Sequence, residues 1–197
     1  MADVSREDAW QLVTEWVSSE SLQKHLLGVE AAMRAYAIKW GEDEELYAIT
    51  GLVHDLDYER FPDLDDTENG HPRTALRLFR ELDWPQELID AVAGHATFLG
   101  VPRETEMAKT LFAVDELSGF IAACALVRPT GIEGMKPKSV RKKLKQPSFA
   151  AGVNRDEVEQ GAAELGVDFD EHVAFVIAAM SENAAELGLA PSEPDQG

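Results

Sequence analysis

Apolar residues recur along this chain every three or four positions, the repeat of one face of an α-helix. Trp10, Val13, Trp16 and Val17 predict a first helix over about 6–18. Leu22, Leu26, Val29, Met33, Tyr36 and Trp40 predict a second over about 21–40, and Gly41 stops it, because glycine enters the left-handed region freely. A third, over about 43–56, turns Leu46, Ile49, Leu52, Val53 and Leu56 inward. The pattern breaks over 57–70, an acidic stretch holding Pro62 and Gly70, long enough to be a lid, a wall or a plain surface loop. A fourth helix starts near Pro72, a residue favoured at the first helical position, and ends near Leu82. A fifth runs over 85–100 and a long sixth over 104–127.

Pro129, Gly131, Gly134 and Pro137 mark a second irregular stretch, and a basic segment over 138–145 follows. Two more helices are expected over about 155–165, with Asn154 and Glu157 at capping-box spacing, and over about 170–187. No run alternates apolar and polar at period two for long enough to make a strand. The fold class is therefore all-α: one domain of about eight helices over 1–189, with a disordered tail over 190–197.

Composition narrows the function classes. A chain of 197 residues can bury a core without a disulfide or structural metal, and its one cysteine, Cys124, permits no internal disulfide. A reducing cytoplasm is the expected compartment. No signal peptide and no run of about 20 apolar residues is visible, so no membrane span is expected. The net charge of −19 disfavours tight nucleic-acid or anionic-membrane binding. Against that background, Lys136, Lys138, Arg141, Lys142, Lys143 and Lys145 form a local basic cluster.

Four of the five histidines fall where chemistry is expected. His25 lies on the Leu22–Val29 face of the second helix, and His54 and Asp55 are adjacent near the end of the third. His71 adjoins the start of the fourth helix, His95 lies on the fifth, and Asp115 sits in the apolar stretch of the sixth. A buried carboxylate without a partner costs several kcal/mol, roughly. Two such aspartates and several histidines on inward helix faces solve the problem jointly if they surround a metal ion; imidazole and carboxylate suit Zn, Fe, Mn, Co or Ni. His172 has no place in this arrangement, and its polar neighbours put it at the surface or a helix edge.

The order of these residues carries a resemblance. A His, a His-Asp dipeptide 29 residues later and an Asp 60 residues beyond resembles the HD-domain superfamily of metal-dependent phosphohydrolases. The similarity covers roughly 20–127, leaving C-terminal helices over 138–189. The run from His25 through Gly51-Leu-Val-His-Asp-Leu-Asp-Tyr58 to Val114-Asp115-Glu-Leu117 looks like the small HDIG-type proteins. The resemblance implies an all-helical fold with His25, His54, Asp55 and Asp115 holding one divalent metal. His71 and His95 occupy the interval in which six-ligand members add two histidines and a second ion, with the dipeptide Asp, here Asp55, bridging the two. The His-His-Glu and Gly-Tyr-Pro signatures of the cyclic-dinucleotide phosphodiesterases are absent.

The expected function is hydrolysis of a small phosphorylated metabolite, a nucleotide in the leading case, with one or two divalent ions and with His54 and Asp55 at the reacting centre. Lys136 and Lys138, or Arg73 beside His71, would meet the phosphate. A di-iron oxygenase with the same ligands and a non-catalytic, metal-stabilised interaction module are the alternatives.

Overall fold

The computed structural model describes residues 4–192, and among them there are nine α-helices and no strand. They are α1 (Arg6–Trp16), α2 (Glu20–Trp40), α3 (Glu44–Val53), α4 (Arg73–Glu81), α5 (Gln86–His95), α6 (Glu106–Leu126), α7 (Pro137–Leu144), α8 (Arg155–Glu164) and α9 (Phe169–Glu182). The count exceeds the expected eight because the basic segment makes a helix of its own, α7. Among the described residues no helix is long and apolar enough to cross a membrane. Residues 193–197 of the expected tail lie outside the described residues. Before them, Ser192 N–H donates to the Pro129 carbonyl at 3.1 Å.

Short polar side chains set where most helices begin. Ser5, Ser19, Asp43, Thr105, Asn154 and Asp168 each accept from backbone N–H groups of the first turn of α1, α2, α3, α6, α8 and α9. Gly41, at φ 74°, ends α2 in the left-handed conformation that the sequence required. The helices α4 and α5 follow Pro72 and Pro85, which offer no side-chain cap. For α4 a more distant residue supplies it, as described below.

The long helices α2 and α6 form the centre. Leu26, Val29, Met33 and Tyr36 of α2 and Leu111, Val114, Leu117, Phe120 and Ile121 of α6 are buried in one continuous apolar cluster. Against them pack α3, α5, α8 and α9, and α1 docks on α3. The Arg6 guanidinium meets the buried Glu30 carboxylate at 2.5 and 2.9 Å, linking α1 to α2.

His172 departs from expectation. It is 1% exposed, its Nε2 lies 3.0 Å from the Ala113 carbonyl and its Nδ1 lies 2.6 Å from the Tyr36 hydroxyl. The carbonyl can only accept, so Nε2 carries the proton and Tyr36 donates to Nδ1. Burial lowers the pKa and keeps the ring neutral. The residue belongs to the buried stripe of Val173, Val176, Ile177 and Met180, which outweighs its acidic neighbours Asp170 and Glu171. It joins α9 to α2 and α6.

At Gly51 the backbone of α3 lies directly against α2. A Cβ there would lie 3.0 Å from the Val29 carbonyl oxygen, the Glu30 nitrogen and Met33 Cγ. In an isolated helix, Gly51→Ala would stabilise by about 1 kcal/mol. Here two of the three obstructing atoms are backbone, and the helices must separate. Gly51→Ala is therefore expected to destabilise the fold by about 1–3 kcal/mol, read as a lower midpoint in denaturant unfolding; a raised midpoint would show that the α2–α3 contact yields.

Candidate metal centre

Five segments deliver six side chains to one place. His25 comes from the first half of α2, and His95 is the last residue of α5. Asp115 projects from the middle of α6. His54 is the C-cap of α3, and beyond it the chain tightens into i+3 hydrogen bonds, Leu56 N–H to Val53 and Tyr58 N–H to Asp55. The following loop closes where His71 N–H donates to the Phe61 carbonyl at 2.8 Å.

These residues form two groups whose ligand atoms lie within 4.8 Å of one another: His25, His54 and Asp115, and Asp55, His71 and His95. In the first, Asp115 Oδ1 lies 3.1 Å from His25 Nε2 and 3.3 Å from His54 Nε2. In the second, Asp55 Oδ1 lies 3.3 Å from His71 Nε2 and 3.4 Å from His95 Nε2. The other oxygen of Asp55 faces His54 Nε2 at 3.7 Å, so this carboxylate stands between the groups. Edge-on ring contacts run from His25 to His54, His95 and His71 at centroid separations of 5.3, 5.2 and 5.3 Å.

Three of the four rings are held from behind. His54 Nδ1 donates to the Gly51 carbonyl at 2.8 Å and His95 Nδ1 to the Val92 carbonyl at 2.5 Å. His71 Nδ1 donates to Asp57 Oδ1 at 2.7 Å. In a neutral imidazole this leaves the lone pair on Nε2, and all three Nε2 atoms point at carboxylate oxygens. Lone pair then faces lone pair, unless a cation lies between them. His54 Nε2 is also buried without a hydrogen-bond partner. The donor set and this orphaned nitrogen fit one or two divalent ions, which would satisfy nitrogen and oxygen together.

The electrostatics express the same demand for positive charge. Burial opposes a charge on the His54 ring, but Asp55 and Asp115 raise its pKa to about 9. Burial likewise works to raise Asp55 and Asp115, yet the surrounding imidazoles, His54 foremost, hold both carboxylates well below the usual range.

The groups open into a cleft of about 540 Å³. Tyr58, Leu64 and Phe98 stand at its walls, each more than two-fifths exposed, so the acidic loop does form part of the wall, through Leu64. Glu116 and Glu157 line it, and among the described residues no Lys or Arg does. Burial, with the charge of Asp115, raises the Glu116 carboxyl to about 7. Arg73 stands just outside: its guanidinium lies 5.5 Å from the Phe98 ring and donates to the Leu64 carbonyl at 3.2 Å.

Lys136 and Lys138 are not brought to the cleft. The helix α7 packs against α9 and α6, with Val140 its buried residue. Both lysines are exposed, and Arg141 pairs with Asp170 at 2.5 Å.

Two supporting residues escaped the sequence analysis. Asp57, counted there with the acidic loop, is fully buried. Its Oδ1 holds His71, and its Oδ2 accepts from Ala75 N–H at 2.7 Å, capping α4 where Pro72 cannot. Its only signal was its position two residues after Asp55. Arg155 is the other: its guanidinium donates to the carbonyls of Leu144, Gln146, Phe149 and Val153. That shapes the loop carrying Val153 and Asn154 to the cleft, where Asn154 N–H donates to Glu116 at 3.2 Å.

Asp57→Asn leaves an amide that must turn its NH₂ toward one of two donors. The variant is expected to weaken one step of a calorimetric divalent-metal titration by about 10- to 100-fold and to lower stability by about 1–2 kcal/mol through the lost cap. An unchanged titration would mean that His71 needs no such support.

Comparison with known proteins agrees with this geometry. The family model of the HD domain matches residues 22–119, about half of the chain, a span that contains all six side chains. No curated protein and no solved structure gives a match. With the ordered His, His-Asp and Asp set converging in an all-helical fold, the chain belongs to the HD-domain superfamily of metal-dependent hydrolases.

Proposed function

We propose that this protein is a phosphohydrolase that uses one or two divalent ions to cleave a small phosphorylated metabolite, with a nucleotide as the leading substrate class. The observation that supports this reading is the set of Nε2 lone pairs of His54, His71 and His95 facing Asp55 and Asp115 across 3.3–3.4 Å in an open cleft. A divalent ion there would supply a Lewis acid for phosphoryl oxygens and lower the pKa of water toward neutrality.

The chain's own groups have distinct tasks in this reading. His25, His54 and Asp115 would hold one ion; His71 and His95 would hold a second, with Asp55 between the two groups. The carbonyls of Gly51 and Val92 and the carboxylate of Asp57 fix the ring tautomers, so the donors are oriented before any ion arrives. The half-buried Arg73 is the phosphate contact, because it packs on Phe98 and Leu64 of the cleft wall and phosphate prefers the planar guanidinium fork. The carboxylates of Glu116 and Glu157 disfavour substrates with several uncompensated phosphates.

The test is phosphate release from a panel of phosphate esters, with protein purified anaerobically and supplied with Mn, Co, Ni, Mg or Fe. Nucleoside monophosphates are expected to be cleaved. Asp55→Ala should lose bound metal and activity together. Arg73→Ala should raise KM several-fold and change kcat less than twofold. Oxygen consumption by an iron-loaded protein with no phosphate release would replace this reading with an oxygenase. Tight metal binding without turnover of any kind would leave an interaction module.

A further inference from the structure

A second cavity, of about 500 Å³, adjoins the metal cleft. His25 and Gly119 line both, so the imidazole of one and the bare backbone of the other form the boundary between them. Beyond it, the face of α6 that carries Asp115 continues through Gly119, Ala122 and Leu126, positions spaced by three or four residues. On the opposite side α2 presents Ser21, Lys24 and His25. Met180, Leu187 and Leu189 complete walls that are mainly apolar, and Leu126 at the edge is 69% exposed.

We infer that this cavity binds an aromatic or heteroaromatic ring on the alcohol side of a phosphate ester whose phosphate lies at the metal cleft. The inference rests on the proposed phosphohydrolase reading and specifies its substrate class. Three observations support it. The cavity shares His25 and Gly119 with the cleft and runs along the same face of α6. From Asp115 to Ala122 the helix rises about 10 Å, the reach of a phosphate joined through a short linker or sugar to one ring system. And the wall contains one unmet polar group: Ser118 lines the cavity, is 1% exposed, and its hydroxyl has no hydrogen-bond partner. A saturated hydrocarbon would leave that hydroxyl unmet, whereas a ring nitrogen or carbonyl satisfies it after one rotation about Cα–Cβ.

Gly119 decides whether the two spaces communicate. A Cβ there would lie 3.7 Å from His25 Nδ1, an ordinary contact, so alanine fits without displacing the imidazole. The same methyl narrows the boundary. Lys24 lines the cavity beside Gly188 and is paired with Glu20 at 2.5 Å. With that charge offset, apolar contact is the main basis for selection.

The experiment is calorimetric binding of two non-hydrolysable probes, methylphosphonate and phenylphosphonate, to the metal-loaded protein. Phenylphosphonate is expected to bind at least tenfold more tightly, about 1.4 kcal/mol. Ala122→Leu, which fills the cavity from a position remote from the metal, should remove most of that advantage and leave methylphosphonate affinity within twofold. Gly119→Ala should reduce it at least threefold. Circular dichroism melting of each variant reports its folding. Equal affinity for the two probes, or a full phenyl advantage retained in both folded variants, overturns the inference and leaves the phosphohydrolase reading intact. Binding of neither probe overturns both.

Discussion

Two carboxylates in this protein face the Nε2 atoms of four imidazoles, three of which have Nδ1 turned to a rear acceptor, at distances where a cation or a proton must make the contact favourable. That requirement organises much of the rest. A buried carboxylate opposed by lone pairs is among the most unfavourable arrangements a core can contain. The fold nevertheless devotes residues from α2, α3 and its turn, the loop before α4, α5 and α6 to building it. Protons on the imidazoles could relieve the repulsion, as the raised His54 pKa shows. Fixing Nδ1–H toward rear acceptors in three of the rings directs the remaining lone pairs inward, the arrangement suited to metal coordination.

Each part of the scaffold keeps those lone pairs aimed. Gly51 lets α3 lie against α2, so that His54 and His25 can share Asp115, and its carbonyl also holds the His54 ring. The apolar core between α2 and α6 sets the separation of His25 from Asp115. On the far side of α6, His172 bonds the Ala113 carbonyl two residues before Asp115, so α9 supports the segment that carries the carboxylate. The helices outside the matched HD region thus brace the centre from behind. Glu157 of α8, with Val153 and Asn154 of the loop before it, also forms one wall of the cleft.

Much of the core was legible because helical periodicity and capping residues agree along the chain. Gly41 and the caps at Asp43 and Asn154 fell at the expected element ends. The six converging side chains were legible from their order, which few unrelated sequences would reproduce. Three features were not. His172 has acidic neighbours, and only the packed stripe of α9 reveals that it faces inward. Asp57 sat in a run of acidic residues, and nothing local separates a buried orienting carboxylate from solvated ones. The lysines of α7 were close to glycine-rich turns in sequence, but the direction a helix faces depends on its single buried contact, here Val140. In each case the deciding information was the identity of the spatial neighbour, which spacing along the chain does not encode.

Asp57 holds the ring of His71 with one oxygen and the backbone of α4 with the other. A helix start and a metal-facing imidazole therefore depend on a single buried anion. Any event that draws electron density from the His71 ring strengthens its bond to Asp57, and hydrogen bonds that share a carboxylate polarise one another. If the second group takes an ion, local opening of α4 and occupancy of that group would be coupled equilibria. The amide of Ala75 would then be an internal reporter: its rate of exchange with solvent deuterium would follow the state of the centre, although it is held by Asp57 and not by the centre itself.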